Sequence, residues 1–309
     1  MALIGSNIFI GNNDEQMFIG TDRYDRTTEP TFVGIITASD GASGDEFGSS
    51  VAVGSGKIVV GAPNNDVGIN TNQGSAYIFD LNGNQLGILT ASDGASGDKF
   101  GWSVAVGSGR IVVGAPNNNI GSNVDQGSAY IFDLDGNEVG IITASDGTNS
   151  DSFGDSVAIG FGRIVVGAIN AGDNGGTTGG GQVYIYDLEG NEVGIITASN
   201  PVPTFGVNSF GNSVAVGSGR IVVGDPVDGE VSFLAGKSYV YDLDGNEVGI
   251  ITAYDGGTTT RAFGSVVVVE DGKIIISAPN KDVNGINDMG GIYIYDTPKS
   301  YHILDTLDR

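Results

Sequence analysis

The chain has 309 residues, 37 acidic against 13 basic, a formal charge of −24 and no cysteine. That balance repels phosphate backbones and anionic lipid, so nucleic-acid binding and attraction to an acidic membrane surface are excluded. The missing thiols remove disulfides, thiolate catalysis and Cys-based metal centres together.

The N-terminal "MALIGSNIFIGNND" shows neither a basic n-region nor a long apolar stretch, so no Sec leader is expected. No apolar run approaches the roughly 20 residues of a membrane helix, so no membrane insertion is expected. Glycine, at 53 residues and without a Gly-X-Y period, points to many tight turns between closely packed strands.

From residue 42 onward one unit repeats. Phe-Gly recurs at Phe47, Phe100, Phe153, Phe210 and Phe263. In step with it come "VVGAP" at 59 and 112, "VVGAI" at 165, "VVGDP" at 222 and "IISAP" at 275. An aromatic pair follows in "YIFD" at 77 and 130, "YIYD" at 184 and 293 and "YVYD" at 239. "LGILTASD" at 86 returns as "VGIITASD" at 139, "VGIITASN" at 193 and "VGIITAYD" at 248. Landmarks in a fixed order at a period of about 50 residues mean one supersecondary unit copied in tandem.

Each unit reads as four strands, in the first copy 51–53, 58–60, 76–79 and 86–90. The first two are short, β-branched and apolar without alternation, as in strands covered on both faces. Gly-Ser-Gly joins strands one and two, and "LNGN", "LDGN" or "LEGN" joins three and four, read as tight two-residue hairpins. No segment has a helical period. Four-stranded antiparallel sheets that are apolar on both faces must stack on one another, and the closed solution is an all-β propeller; a linear solenoid is the runner-up.

The single propeller domain 1–309 divides into a partial N-terminal blade at 1–41 and repeats at 42–94, 95–147, 148–200 and 201–255. A last repeat at 256–309 carries its own C-terminal strand. "LIGSNIFIGNN" (3–13) mirrors "VGSGKIVVGAPN", "QMFIGTD" (16–22) mirrors "AYIFDL", and "TFVGIITASDG" (31–41) reads as a fourth strand. Six blades are the preferred count, with five or seven as alternatives.

Phe-Gly, then "VVGAP", then an aromatic third strand resembles the FG-GAP repeat of integrin α-subunit propellers, over nearly the whole chain. The resemblance implies a propeller that binds partners, commonly proteins or glycans. Relatives often carry a D-x-D-x-D-G calcium loop between strands one and two. Here that connection is "GSGK", "GSGR", "GFGR", "GSGR" and "EDGK", too short for a cage of oxygens, so calcium is not expected there.

Antiparallel blades send the short turns to one face and the longer two–three and four–one loops to the other, which becomes the expected binding face. Four features compete there and opposite. Lys57, Arg110, Arg163, Arg220 and Lys273 share one repeat position; they form either an anion-docking ring or ion pairs with turn carboxylates such as Asp133 or Asp135. Asp40 with Asp45 and Asp93 with Asp98, echoed at Asp146 and Asp151, are weak calcium candidates or plain turn formers. Val202, Phe205, Val231, Phe233 and Leu234 interrupt the repeat and form either a protein-contacting patch or a satellite core. Trp102, the only tryptophan, stands where other blades have Ser49, Asp155, Asn212 and Ser265, and either stacks on a ligand or plugs the channel mouth.

Catalysis finds little footing. His302 is the only histidine, and the carboxylate pairs recur from blade to blade, as architecture does. The expected function is a non-enzymatic binding or structural module with no cofactor, engaging a protein or glycan and open to homo-oligomerisation. A virion component (phage tail, fibre or capsid surface) is the first setting. A bacterial surface or secreted adhesin is the second and a calcium-dependent lectin the third.

Overall fold

The computed structural model describes residues 34–172, 180–199, 209–227, 235–254, 262–283 and 286–298. Among them there are no helices, and five antiparallel sheets follow one another along the chain. Blade 1 holds β1 (Ser50–Gly54), β2 (Lys57–Ala62), β3 (Ser75–Asp80) and β4 (Gln85–Leu89). Blade 2 holds β5 (Ser103–Gly107), β6 (Arg110–Ala115), β7 (Ser128–Asp133) and β8 (Glu138–Ile142). Blade 3 holds β9 (Phe153–Gly160), β10 (Arg163–Ala168), β11 (Gln182–Tyr186) and β12 (Glu192–Ile196). Blade 4 holds β13 (Ser213–Gly217), β14 (Arg220–Asp225), β15 (Lys237–Tyr241) and β16 (Glu247–Ile251). Blade 5 shows three strands, β17 (Val267–Glu270), β18 (Lys273–Ala278) and β19 (Gly291–Asp296). This is the all-β propeller architecture that the repeat predicts. The strands expected at 3–13, 16–22 and after 298 lie outside the described residues, as do the blade counts that depend on them; of the fourth strand expected at 31–41, residues 34–41 are described and form no strand.

The turns are as short as the glycines require. Between strands one and two, Ser55–Gly56, Ser108–Gly109, Phe161–Gly162, Ser218–Gly219 and Asp271–Gly272 all take positive φ at both positions, the type I′ geometry that matches strand twist. The three–four connection differs from its two-residue expectation. In blade 1, Asp80 N–H donates to the Asn84 carbonyl, so three residues intervene, and Gly83 at φ 85° accompanies a register shift at Ile78/Phe79. The Asp80 carboxylate drives the longer turn by accepting the backbone N–H groups of Asn82 and Asn84.

The core lies in the seams between blades. Val59, Ile78 and Leu89 of blade 1 pack against Ile111, Val113, Tyr130 and Phe132 of blade 2, and the pattern recurs at the next three seams. The Phe of each Phe-Gly stands edge-on to both third-strand aromatics of its own blade: Phe100 lies 5.2 Å from Tyr130 and 6.0 Å from Phe132. Its glycine serves the neighbour. A Cβ on Gly61, Gly114, Gly167 or Gly224 would lie 1.9–2.3 Å from the carbonyl oxygen of Gly101, Gly154, Gly211 or Gly264, the Phe-Gly glycine of the following blade. Ser50, Ser103 and Ser156 donate their hydroxyls to the first three of those carbonyls at 2.6–2.8 Å. Both halves of the repeated phrase thus meet across each seam. No helix among the described residues is long and apolar enough to cross a membrane.

Candidate functional site

The two–three and four–one loops leave the blades on one side and are cross-braced. Tyr77, Tyr130 and Tyr184 of the third strands donate their hydroxyls to Asp40, Asp93 and Asp146 of the preceding four–one loops, at 2.9, 2.6 and 2.7 Å. In the first two cases a buried asparagine, Asn65 or Asn118, donates to the same hydroxyl. The second carboxylate of each loop, Asp45, Asp98 or Asp151, accepts the backbone N–H three residues earlier at 2.6 Å. Of the weak calcium candidates, the carboxylates of Asp40 and Asp93 tie a loop to a third strand, and those of Asp45 and Asp98 close the loop on itself. Among the described residues, no group of three or more His, Cys, Asp or Glu is placed to hold a metal ion. Burial, reinforced by Asp93, pushes the Tyr130 hydroxyl far above the ordinary phenol range. Burial also raises Asp98, opposed by the Ala95 N–H and aided by Asp93 and Asp125.

On this base the two–three loops form small hairpins. Val67 and Asn70 exchange both backbone hydrogen bonds, as do Ile120 with Asn123 and Val283 with Ile286. Asp66, Asn119 and Asp282 accept the N–H six residues on, closing the same loop in blades 1, 2 and 5. Asn70 and Asn123 then tie it to the neighbouring four–one loop through the carbonyls of Gly94 and Gly147. The braced loops leave apolar side chains in solvent: Ile69 is 96% exposed, and Val124, Ile286 and Met289 are also exposed, as is Tyr254 in the four–one loop after blade 4. The sequence reading missed these positions. Their only signal was an apolar residue inside an otherwise polar loop, such as "DVGIN".

Trp102 sits just before β5, at the end of an innermost strand where it meets this face, and is 46% exposed. Its indole lies beside the carboxyl of Asp155, which occupies the same repeat position in blade 3. Burial raises the Asp155 carboxyl, and the Trp102 bond pulls it back. The structure thus joins two residues singled out from sequence only as repeat equivalents.

On the short-turn face the five cations do not behave alike. Arg163 pairs with Asp244 at 3.1 Å and donates to the Leu243 carbonyl, both in the three–four turn of the next blade. Arg220, buried, reaches the Pro298 carbonyl of blade 5 in the same sense. Lys273 pairs with its cross-strand partner Asp296. Arg110 bonds the Gly109 carbonyl, and Lys57 lies opposite Asp80 in its ladder. The carboxylates in these two pairs, Asp244 and Asp296, are the repeat equivalents of Asp135 and Asp133, and the Arg220 charge also helps to hold Asp242 low.

Val202, Phe205, Val231, Phe233 and Leu234 lie outside the described residues. Beside those segments blade 4 departs from its siblings. Asp225 and Lys237, buried and opposite one another in the ladder, replace Ala62 with Ser75 of blade 1 and Ala115 with Ser128 of blade 2.

Three segments, residues 30–79, 84–132 and 137–186, match the family model described as the FG-GAP repeat, just under half of the chain. Each match ends on a third strand, and the second and third open at the outer strand of the preceding blade. Among curated proteins none matches the chain.

Proposed function

We propose that this FG-GAP repeat protein works by binding, not catalysis, and that it holds a protein partner on its long-loop face. One observation carries the reading: hydrogen-bonded, cross-braced loops present Ile69, Val124, Ile286 and Met289 to solvent. Rigid loops lose little conformational freedom on docking, and exposed apolar tips gain by being covered. Aliphatic tips suit a protein surface better than a sugar, whose recognition relies on stacking and dense polar contacts.

The test uses the full chain as bait in extracts of its natural source, beside an Ile69→Ser, Val124→Ser, Met289→Ser triple variant. A partner recovered in fixed proportion by the wild type and lost with the triple variant supports the assignment. A partner retained by the variant overturns it. A virion component and a surface adhesin would both use the face in this way. Co-purification with intact particles in constant stoichiometry marks the first, and binding to cells by the free monomer marks the second.

A further inference from the structure

The outer wall of the molecule carries an apolar feature that neither the seams nor the long-loop face uses. β4, β8, β12 and β16 each end a four-stranded sheet, so one side of each strand has no neighbour in its blade. Val139 and Ile141 of β8, and their equivalents in β4, β12 and β16, stand at 36–52% exposure. Natural sheet edges are commonly guarded by lysine or proline. Residues 86–90, 139–143, 193–197 and 248–252 contain neither.

The fold sets the free length of each edge. At its start a bulge at Val139 shifts the register between Glu138 and Gly140, and the same shift recurs in blades 1, 3 and 4. At its end the Tyr186 hydroxyl of blade 3 donates to the Thr143 carbonyl at 2.9 Å, as Tyr241 and Tyr295 do to Thr197 and Thr252. Gly140, Ile141 and Ile142 run between these two points. The chain itself gives no reason for the glycine. Gly140 has no positive φ, and a Cβ there would meet nothing within 4 Å; Gly87, Gly194 and Gly249 are alike. A glycine inside a strand weakens it and often marks a place where another group comes close. Each seam glycine has such a neighbour, and these four have none among the described residues.

Ladder pairing fixes what each side of the edge offers. Gly140 lies opposite Ile131, on the side facing the following blade, and Ile141 lies opposite Tyr130, on the side facing the preceding one. A strand added here meets bare backbone on one side, where an aromatic ring can lie flat, and an isoleucine on the other. Carboxylates flank the start of the window: Asp133, Asp135 and Glu138 in blade 2, with Asp187, Glu189 and Glu192 at the same places in blade 3. A second copy would bring the same carboxylates and its own charge of −24 against them. A partner segment carrying Lys or Arg would instead be drawn in.

We propose that the outer edge of blades 1 to 4 takes an extended segment of a partner protein as a fifth strand. The segment lays an aromatic side chain over the glycine, sets an aliphatic one beside Ile141 or its equivalent, and turns a basic residue toward the acidic turn. Main-chain pairing supplies the attraction and these side chains the selectivity. The surface is separate from the loop tips, so the Ile69→Ser, Val124→Ser, Met289→Ser variant leaves it intact.

The probe is a backbone-cyclised hairpin peptide with one strand reading Lys-Val-Ile-Phe-Lys, since cyclisation removes most of the cost of ordering it. Titrated into the full chain, it is expected to bind saturably and to slow amide exchange within residues 140–142. N-methylating the outward N–H groups of that strand, or replacing its Phe by Ala, is expected to weaken binding about ten-fold. The quadruple variant Ile88→Thr, Ile141→Thr, Ile195→Thr, Ile250→Thr is expected to lose a similar factor, while the loop-tip triple variant binds as wild type does. No saturable binding at millimolar peptide overturns the proposal. So does binding that survives N-methylation or the threonines, which would mean adsorption without strand pairing. Loss of binding in the loop-tip variant overturns it too, by moving the peptide to the long-loop face. A wild-type oligomer that the threonines dissociate would give the edge to a second copy and overturn it likewise. The methylated hairpin decides on the wild-type chain even if the quadruple variant fails to fold.

Discussion

The seams between blades and the rim of the long-loop face are written by the same repeat, yet they use it in opposite ways. At a seam every element is fixed by its opposite number: a glycine because a carbonyl lies against it, a serine because that carbonyl needs a donor, a phenylalanine because two aromatic edges surround it. At the rim the repeat fixes only the bracing. Asp66, Asn119 and Asp282 close the same loop, while the tip changes from Ile69 in blade 1 to Ser122 in blade 2. Repetition marks what holds the wheel together, and variation marks what is free to recognise something else.

The largest effect expected from that contrast is at a seam glycine. In Gly114→Ala the new methyl would lie 2.0 Å from the Gly154 carbonyl oxygen and 2.3 Å from the Ser103 hydroxyl, so two blades must separate. Overpacking against backbone is expected to cost about 3 kcal/mol or more. Gly140→Ala, on the outer strand of the same blade with nothing within 4 Å, is expected to be nearly neutral. Thermal unfolding of the pair measures the difference, and equal melting temperatures would break the comparison.

A smaller loss is expected where seam and rim join. Tyr130→Phe keeps the ring beside Phe100 but removes the hydroxyl shared by Asp93 and Asn118. Leaving these groups unmatched is expected to cost about 1–3 kcal/mol. Amide exchange should accelerate in the 91–99 loop more than in β6, since the loop loses its tie while the strand keeps its ladder.

Much of the seam was legible in the sequence, because a contact made at every blade leaves the same letters at every period. Phe-Gly, the small residues and the third-strand aromatics announced stacked four-stranded sheets and their turns. What stayed hidden depends on which residue meets which across blades. The Asp pairs looked like ion ligands or turn formers, and nothing in "DGASGD" says that its first carboxylate binds a tyrosine some 37 residues later. Arg163 was expected to find an aspartate, but the choice of Asp244 depends on how one blade is set against the next. The exposed tips were hidden for another reason: an isolated Ile69 in a polar loop reads equally well as a buried anchor.

A subtler separation is expected in pH dependence. Asp98, inside the braced loop, has its carboxyl raised by burial. Its stabilising contribution is complete below the unfolded carboxylate pKa and is lost as pH rises through the higher folded value. Asp80, Asp133 and Asp187 in the short turns are held low, chiefly by the side chains of Asn84, Asn137 and Asn191. Their contribution has the opposite sign: it is present above the unfolded pKa and lost as pH falls through the lowered one. Asp98→Asn keeps the shape without the charge, so its melting temperature relative to wild type is expected to be about 2 °C higher at pH 7 than at pH 4. Asp133→Asn should shift in the reverse direction.

The smallest effect on stability is expected at the rim tip, and there the comparison is sharpest. Ile69 is almost fully exposed, and the turn beneath it is closed by the backbone of Val67 and Asn70 and by the Asp66 carboxylate, none of which Ile69→Ser alters. Unfolding should therefore change by no more than about 0.5 kcal/mol. Partner binding should fall all the same, because a tip buried by an interface loses its whole apolar contribution when replaced by a hydroxyl. Calorimetry and affinity capture on the same preparation measure both quantities. A destabilised Ile69→Ser chain would return this residue to the architecture, and unchanged stability with lost binding would place recognition where the repeat varies.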